Sequence, residues 1–279
     1  MSCEYKIRHI REGLEPTVIV INGFLSESEE DIKDWLSVVD ELYPFQRVLH
    51  LDWPSGNLKK LFGFSNDSTI AFEMLSSSVP ILRAGSAVPA FIANIANIGT
   101  DWSKAIRRSE DAGIWLAHYI NNQESNQFIL MGHSLGASVS FNALSNLERK
   151  NSIHSIYLFG GAMSNTEKWI ETCTRHPGSM ITNCYSTNDW VLKFLYKIGT
   201  LFSNIPIGLK PIPKNANNLI YNVDLSNIVN GHTSYKKKEV GICIKERVEL
   251  TKNNGHEIID CFDISLFSIF KKVLSEVIR

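Results

Sequence analysis

The sequence predicts an α/β fold with a mostly parallel central sheet, helices on both of its faces, and a helical insertion ahead of a sharp strand-to-helix turn. Three observations carry that prediction. Phe128-Ile129-Leu130-Met131 is a wholly apolar run, as a central parallel strand covered on both faces requires. It enters Gly132-His133-Ser134-Leu135-Gly136. From there Leu135, Val139, Ala143 and Leu147 recur every four positions, with Phe141 and Leu144 beside them, as one apolar side of a helix. Nearer the start, strand, helix and strand alternate in the rhythm of right-handed parallel crossovers.

Taken in order, Thr17 to Asn22 reads as an early core strand that ends in Asn22-Gly23-Phe24. Ser26 and Ser28 can cap the next helix, each with an acid three residues on, Glu29 and Asp31. Ile32, Trp35, Leu36, Val39, Leu42 and Tyr43 share one face of that helix, which stops at Pro44. Phe45 to Leu51 returns as a strand. Further strands are expected at Ser155–Phe159, Met180–Tyr185 and Leu219–Leu225, with helices near Asn165–Thr174 and Trp190–Ile198. Val240–Leu250 and His256–Phe262, joined through Asn253-Asn254-Gly255, suggest a hairpin, and Ile264 to Ile278 suggests a closing helix. No internal repeat or low-complexity linker interrupts the chain, so residues 1–279 are expected to form one domain.

Length and composition narrow the classes. A chain of 279 residues can bury a large core. A formal charge of −1 without a basic face excludes an electrostatic footprint for nucleic acid, and Lys236-Lys237-Lys238 reads as a solvated loop. The five cysteines (Cys3, Cys173, Cys184, Cys243 and Cys261) are scattered without Cys-x-x-Cys spacing. They argue against a disulfide framework or zinc site and for a reducing compartment. Met1 to Gly13 is charged and lacks the apolar stretch of a secretion signal. A cytoplasmic location is expected, although export by a dedicated machine would leave the same sequence.

Residues 57–108 fit the sheet least and are read as the helical insertion. Within it Val79 to Ile98 is almost wholly apolar, interrupted by Pro80, Arg83 and Pro89. A central arginine and two prolines make it a poor membrane span. A buried helical segment is one reading. The other is a lid whose apolar face binds acyl chains or touches lipid, with Phe91 and Ile95, one helical turn apart, contacting substrate.

The chemistry starts at Ser134. Glycine at 132 and 136 lets the chain double back, and the serine hydroxyl is then held above the sheet edge. The N–H of Leu135, at the helix start, points where an oxyanion would form. A second oxyanion donor is expected from the turn after the early strand, at the N–H of Phe24 or of Leu25. A serine hydroxyl needs a base, oriented in turn by a carboxylate, and behind this kind of turn the order is Ser, then Asp or Glu, then His. The histidines after Ser134 are His154, His176, His232 and His256. His154 opens a strand and His176 precedes Pro177. His232 follows Asn230-Gly231 in a polar loop suited to presenting a base, with His256 its rival. For the acid, Asp189 sits in a strand-end loop that opens a helix, and Asp224 is the alternative. His133 reads as a packing residue, not a second base.

Gly132-His133-Ser134-Leu135-Gly136, Tyr185-Ser186-Thr187-Asn188-Asp189-Trp190-Val191-Leu192, Asn222-Val223-Asp224 and Gly231-His232-Thr233-Ser234-Tyr235 together resemble a known family. It is the predicted α/β hydrolases typified by transmembrane and coiled-coil domain-containing protein 4. Asp101-Trp102 through Gly113 and Leu116-Ala117 are similar too, and the resemblance covers roughly residues 15 to 240. It implies Ser134 as nucleophile, Asp189 as acid and His232 as base. The membrane and coiled-coil regions of that family have no counterpart in these 279 residues.

The expectation is therefore an α/β-hydrolase fold and a serine hydrolase of carboxylic esters, lipid-like in their acyl part, of the lipase, phospholipase or esterase kind. Its expected partners are an ester or lipid substrate and a peripheral membrane contact, with no nucleic acid, and the chemistry requires neither metal nor organic cofactor. A thioesterase or peptidase could use the same three residues, and a non-catalytic binding module could keep the fold.

Overall fold

A computed structural model describes residues 5–23, 33–55, 88–124, 127–164, 168–197, 205–213 and 220–254. Their strands are β1 (Lys6–Arg11), β2 (Leu14–Ile21), β3 (Gln46–Asp52), β4 (Phe128–His133), β5 (Ile153–Phe159), β6 (Met180–Tyr185) and β7 (Ile220–Asp224). Their helices are α1 (Lys33–Leu42), α2 (Val88–Asn121), α3 (Leu135–Asn146), α4 (Lys168–Arg175), α5 (Trp190–Lys197) and α6 (Lys238–Asn254), with a 3-10 helix at His232–Lys236.

The strands form one sheet in the order β1-β3-β2-β4-β5-β6-β7. Every pairing is parallel except that of β1 with β3. The chain moves outward from β2 to β3, then returns to the other side of β2 as β4. That reversal opens a crevice at the carboxyl ends of β2 and β4, where open α/β sheets bind ligands. Asn22-Gly23 and Ser134 follow those two strand ends.

Alternate strand residues feed two cores, as the pleat dictates. Ile19, Ile21, Leu49, Leu51, Leu130 and Leu158 pack with Trp102, Leu116, Val139, Leu144 and Trp169 of α2, α3 and α4. Val18, Val20, Val48, Ile129, Met131 and Phe159 pack on the other side with Trp35, Val39, Val240 and Ile244 of α1 and α6. Helices on both faces of a mostly parallel sheet, with the serine turn after the central β4, make this an α/β-hydrolase fold.

The structure corrects the sequence reading in one place and adds to it in two. Val240–Leu250 belongs to helix α6 and is not the first arm of a hairpin. Val240, Ile242 and Ile244 alternate like a strand, yet Val240, Cys243, Ile244 and Arg247 are the buried set and Ile242 is exposed, which is helical spacing. The proposed second arm, with His256, and the closing helix at Ile264 to Ile278 lie outside the described residues. Second, the charged start contains strand β1, an edge strand held on β3 partly by Arg8, whose Nε lies 2.6 Å from Asp52 Oδ2. Third, Val88 to Asn121 is one continuous helix, so the end of the proposed insertion at residue 108 falls inside α2. Trp102, Ala105 and Ser109 from this helix are already buried.

The rest of the insertion, 57–87, lies outside the described residues, as do the caps Ser26 and Ser28. Among the described residues no helix is long and apolar enough to cross a membrane, and no group of three His, Cys, Asp or Glu side chains could hold a metal ion. Cys173, Cys184 and Cys243 are buried and form no disulfide among the described residues.

Candidate active site

Ser134 joins β4 to α3 with φ 58° and ψ −120°. A non-glycine residue in that conformation costs about 1–3 kcal/mol and persists only where its surroundings enforce it. Here Ser134 N–H donates to Phe159 O (3.0 Å), and Ala162 N–H donates to Ser134 O (3.1 Å), tying the turn to the end of β5. The flanking glycines are needed for close approach. A Cβ on Gly132 would lie 2.2 Å from Gly136 O, and one on Gly136 would lie 2.2 Å from Ile21 O. Gly23 passes as close to the serine itself, since a Cβ there would fall 2.4 Å from Ser134 Cβ. Leu135 opens α3, so its N–H has no carbonyl of a preceding helical turn to bond. Phe24 and Leu25, the expected second donors, lie outside the described residues.

His232 and Asp189 meet. His232 Nδ1–H donates to Asp189 Oδ2 at 2.7 Å, and Leu192 N–H donates to Asp189 Oδ1 at 3.0 Å. Asp189 is 0% exposed, whereas the His232 side chain keeps 13% of its surface open. A buried carboxylate holding Nδ1–H fixes the tautomer and leaves Nε2 with a free lone pair, the arrangement a general base requires. Tyr235, one turn along the 3-10 helix, donates from its hydroxyl to Gly208 O at 3.4 Å. Burial, then the charge of Asp189, push the Tyr235 hydroxyl well above its ordinary range, so it stays a donor.

His133 joins this pair to the serine turn. Its Nε2–H donates to His232 O at 2.7 Å, and the two imidazoles lie 4.7 Å apart between centroids. Burial first, then the charges of His232 and Lys236, drive His133 well below the usual histidine range, against the opposing pull of its bond to the carbonyl. It is a buried donor to the backbone of the 3-10 helix.

The other candidates go elsewhere. His154 opens β5 and bonds Ser155 Oγ at 2.6 Å, and His176 precedes β6, both at the sheet end opposite Ser134. Asp224 Oδ1 accepts Ser226 N–H at 2.9 Å and so closes the turn after β7. Phe91 and Ile95 fall on α2, and their side chains lie outside the described residues. Tyr235, Lys236 and Asn22 are contacts the sequence reading missed. No local spacing could have revealed them, because Lys236 and Asn22 are joined across most of the chain.

The fold defines a protein of the α/β-hydrolase class. The chain belongs to the family described as Protein of unknown function (DUF726), whose model matches residues 4–249. It is similar to the rice "Transmembrane and coiled-coil domain-containing protein STS1" (Oryza sativa), at 29% identity over 78% of this chain and 34% of that protein. It is also similar to "Probable lipase MIL1" of Saccharomyces cerevisiae, at 25% identity over 84% of this chain and 23% of that one. The chain spans less than half the length of the curated relatives it matches. Among solved structures it is similar to mouse alpha/beta hydrolase domain-containing protein 10, with a TM-score of 0.41, 10% identity, and coverage of 90% of this chain and 94% of that one.

Proposed function

We propose that the chain is a serine hydrolase acting on carboxylic esters with a lipid-like acyl part. The observation that carries this reading is the strained turn at Ser134, joined through His133 to an imidazole that a fully buried carboxylate holds in one tautomer. Ser134 Oγ attacks the ester carbonyl while His232 Nε2 takes the hydroxyl proton. Asp189 keeps Nδ1 protonated and stabilises the imidazolium that forms. The N–H of Leu135, with that of Phe24, donates to the tetrahedral oxyanion and stabilises its charge. His232 then gives its proton to the leaving alcohol, and water, activated by the same imidazole, releases the acid and restores the serine.

The lipid-like acyl part rests on the apolar 79–98 segment and on the name of the yeast relative. The rice relative's name fits the resemblance to hydrolases typified by transmembrane and coiled-coil domain-containing protein 4. One domain over the whole chain, with peripheral contact to a membrane from the cytoplasmic side, completes the reading.

The test is hydrolysis of p-nitrophenyl esters and phospholipids of graded acyl length by purified protein, beside Ser134→Ala. Wild type should turn over esters, and Ser134→Ala should lose roughly 10⁶-fold in kcat. Equal rates in the two proteins would refute the mechanism.

A further inference from the structure

Lys236 ends the 3-10 helix that His232 begins, and only 10% of its side chain is exposed. A lysine withdrawn this far from water needs its donors matched. Its Nζ meets the Asp34 carboxylate, donates to Asn22 Oδ1 at 3.1 Å, and lies 5.4 Å from the centroid of the Trp35 ring. Asn22 directly follows β2, and Asp34 and Trp35 lie in the first turn of α1.

Asn22 is itself fully engaged. Its Oδ1 also accepts Trp35 Nε1–H at 2.7 Å, its Nδ2 lies 3.3 Å from His50 Nε2, and its carbonyl accepts Trp53 Nε1–H at 2.9 Å. Two donors on one oxygen fix which end of the amide is which. The next residue is Gly23, which passes within contact of Ser134. The position of Asn22 therefore sets where the turn beside the serine runs. Lys236 connects that position to the short helix that presents the base.

We propose that Lys236 is a positioning residue that clamps the His232 segment to the Asn22-Gly23 turn, so that base and oxyanion turn keep a fixed separation across Ser134. The role in turnover rests on the hydrolase reading above. Small misplacements of reacting groups lower turnover more than binding, by about 10²-fold for ~1 Å.

The experiment compares wild type, Lys236→Met and Lys236→Arg for p-nitrophenyl butyrate hydrolysis, and for amide hydrogen exchange in peptides spanning Asn22-Gly23 and Gly231–Lys236. Lys236→Met should lose about 10- to 100-fold in kcat with KM within about twofold, and exchange should rise in both segments together. Lys236→Arg should restore most of kcat and the slow exchange. If Lys236→Met does not fold, Lys236→Gln and Asp34→Asn carry the same comparison, with smaller losses in the same direction. A kcat within about twofold of wild type in Lys236→Met, exchange unchanged in either segment, or an arginine variant as impaired as the methionine one would overturn the clamp. Wild-type protein inert toward the ester would overturn the hydrolase reading instead, and the paired exchange would then decide the clamp alone.

Discussion

His133 donates from Nε2 to the backbone carbonyl of His232 at 2.7 Å, so the residue before the serine holds the residue that serves it as base. The contact spans 99 positions of sequence and sets the 3-10 helix against the end of β4. Its energetic consequences can be measured apart from activity.

Burial keeps His133 neutral in the fold, while in the unfolded chain it titrates near the ordinary histidine value of about 6.5. A native value below the unfolded one contributes stability that is present above about pH 6.5 and is lost as pH falls from there toward the native value. Wild type should lose up to about 1.4 kcal/mol of unfolding free energy per pH unit from this residue alone. His176, which burial also lowers, adds in the same direction. His133→Phe should be less stable at pH 8, by about 1–3 kcal/mol for the unpaired carbonyl, and should show a shallower acid slope. Urea melts from pH 5 to 8 measure both. Parallel slopes would remove His133 from the account.

His232→Ala should be about as damaging to kcat as loss of the serine, roughly 10⁶-fold. Asp189→Asn should stay folded and lose roughly 10⁴-fold, because an amide favours the wrong imidazole tautomer. Asp224→Asn should keep near-normal turnover, since Asp224 bonds Ser226 and not the imidazole. Steady-state rates of the three variants check the assignment, and a large loss in Asp224→Asn would reassign the acid.

Gly136→Ala puts a methyl group 2.2 Å from Ile21 O, where only backbone can move aside. Overpacking of this kind costs about 1–3 kcal/mol, and the strain passes directly into the serine turn. The variant should melt several degrees lower and lose activity beyond what its melting explains. Thermal melts beside kcat at 25 °C test this, and a neutral substitution would mean that the turn has slack.

Phe91 and Ile95 stand four residues apart in α2. If they line an acyl groove, wild type should prefer longer acyl chains, gaining about 0.8 kcal/mol per buried methylene, and a double change to serine should erase that preference while sparing short esters. A uniform loss on every ester together with a large drop in melting temperature would assign the segment to the core instead.

The sheet and the serine turn were legible because their signals are local. Phe128 to Met131 is a short apolar run that ends at the Gly132-His133-Ser134-Leu135-Gly136 turn, as a strand buried on both faces is, and the structure shows that Gly132 and Gly136 sit too close to backbone for a Cβ. The pairing of Asp189 with His232 was legible through chain order and the two loop settings. What the sequence hid depends on distance or on ambiguous periods. Strand β1 is charged and owes its place to pairing with β3 and to Asp52. Val240, Ile242 and Ile244 fit a strand as well as a helix until packing against α1 chooses the helical face. Lys236 reads as a member of a solvated lysine run, and only the approach of Asn22, Asp34 and Trp35 shows that most of its side chain is withdrawn from water.

The central claim is that Ser134 is an activated nucleophile. Incubation with a fluorophosphonate probe followed by intact-mass and peptide analysis tests it most directly. One covalent adduct should form, on the peptide containing Ser134. It should be absent from Ser134→Ala and should form far more slowly in His232→Ala. No adduct on folded wild-type protein, or an adduct that persists in Ser134→Ala, would contradict the account.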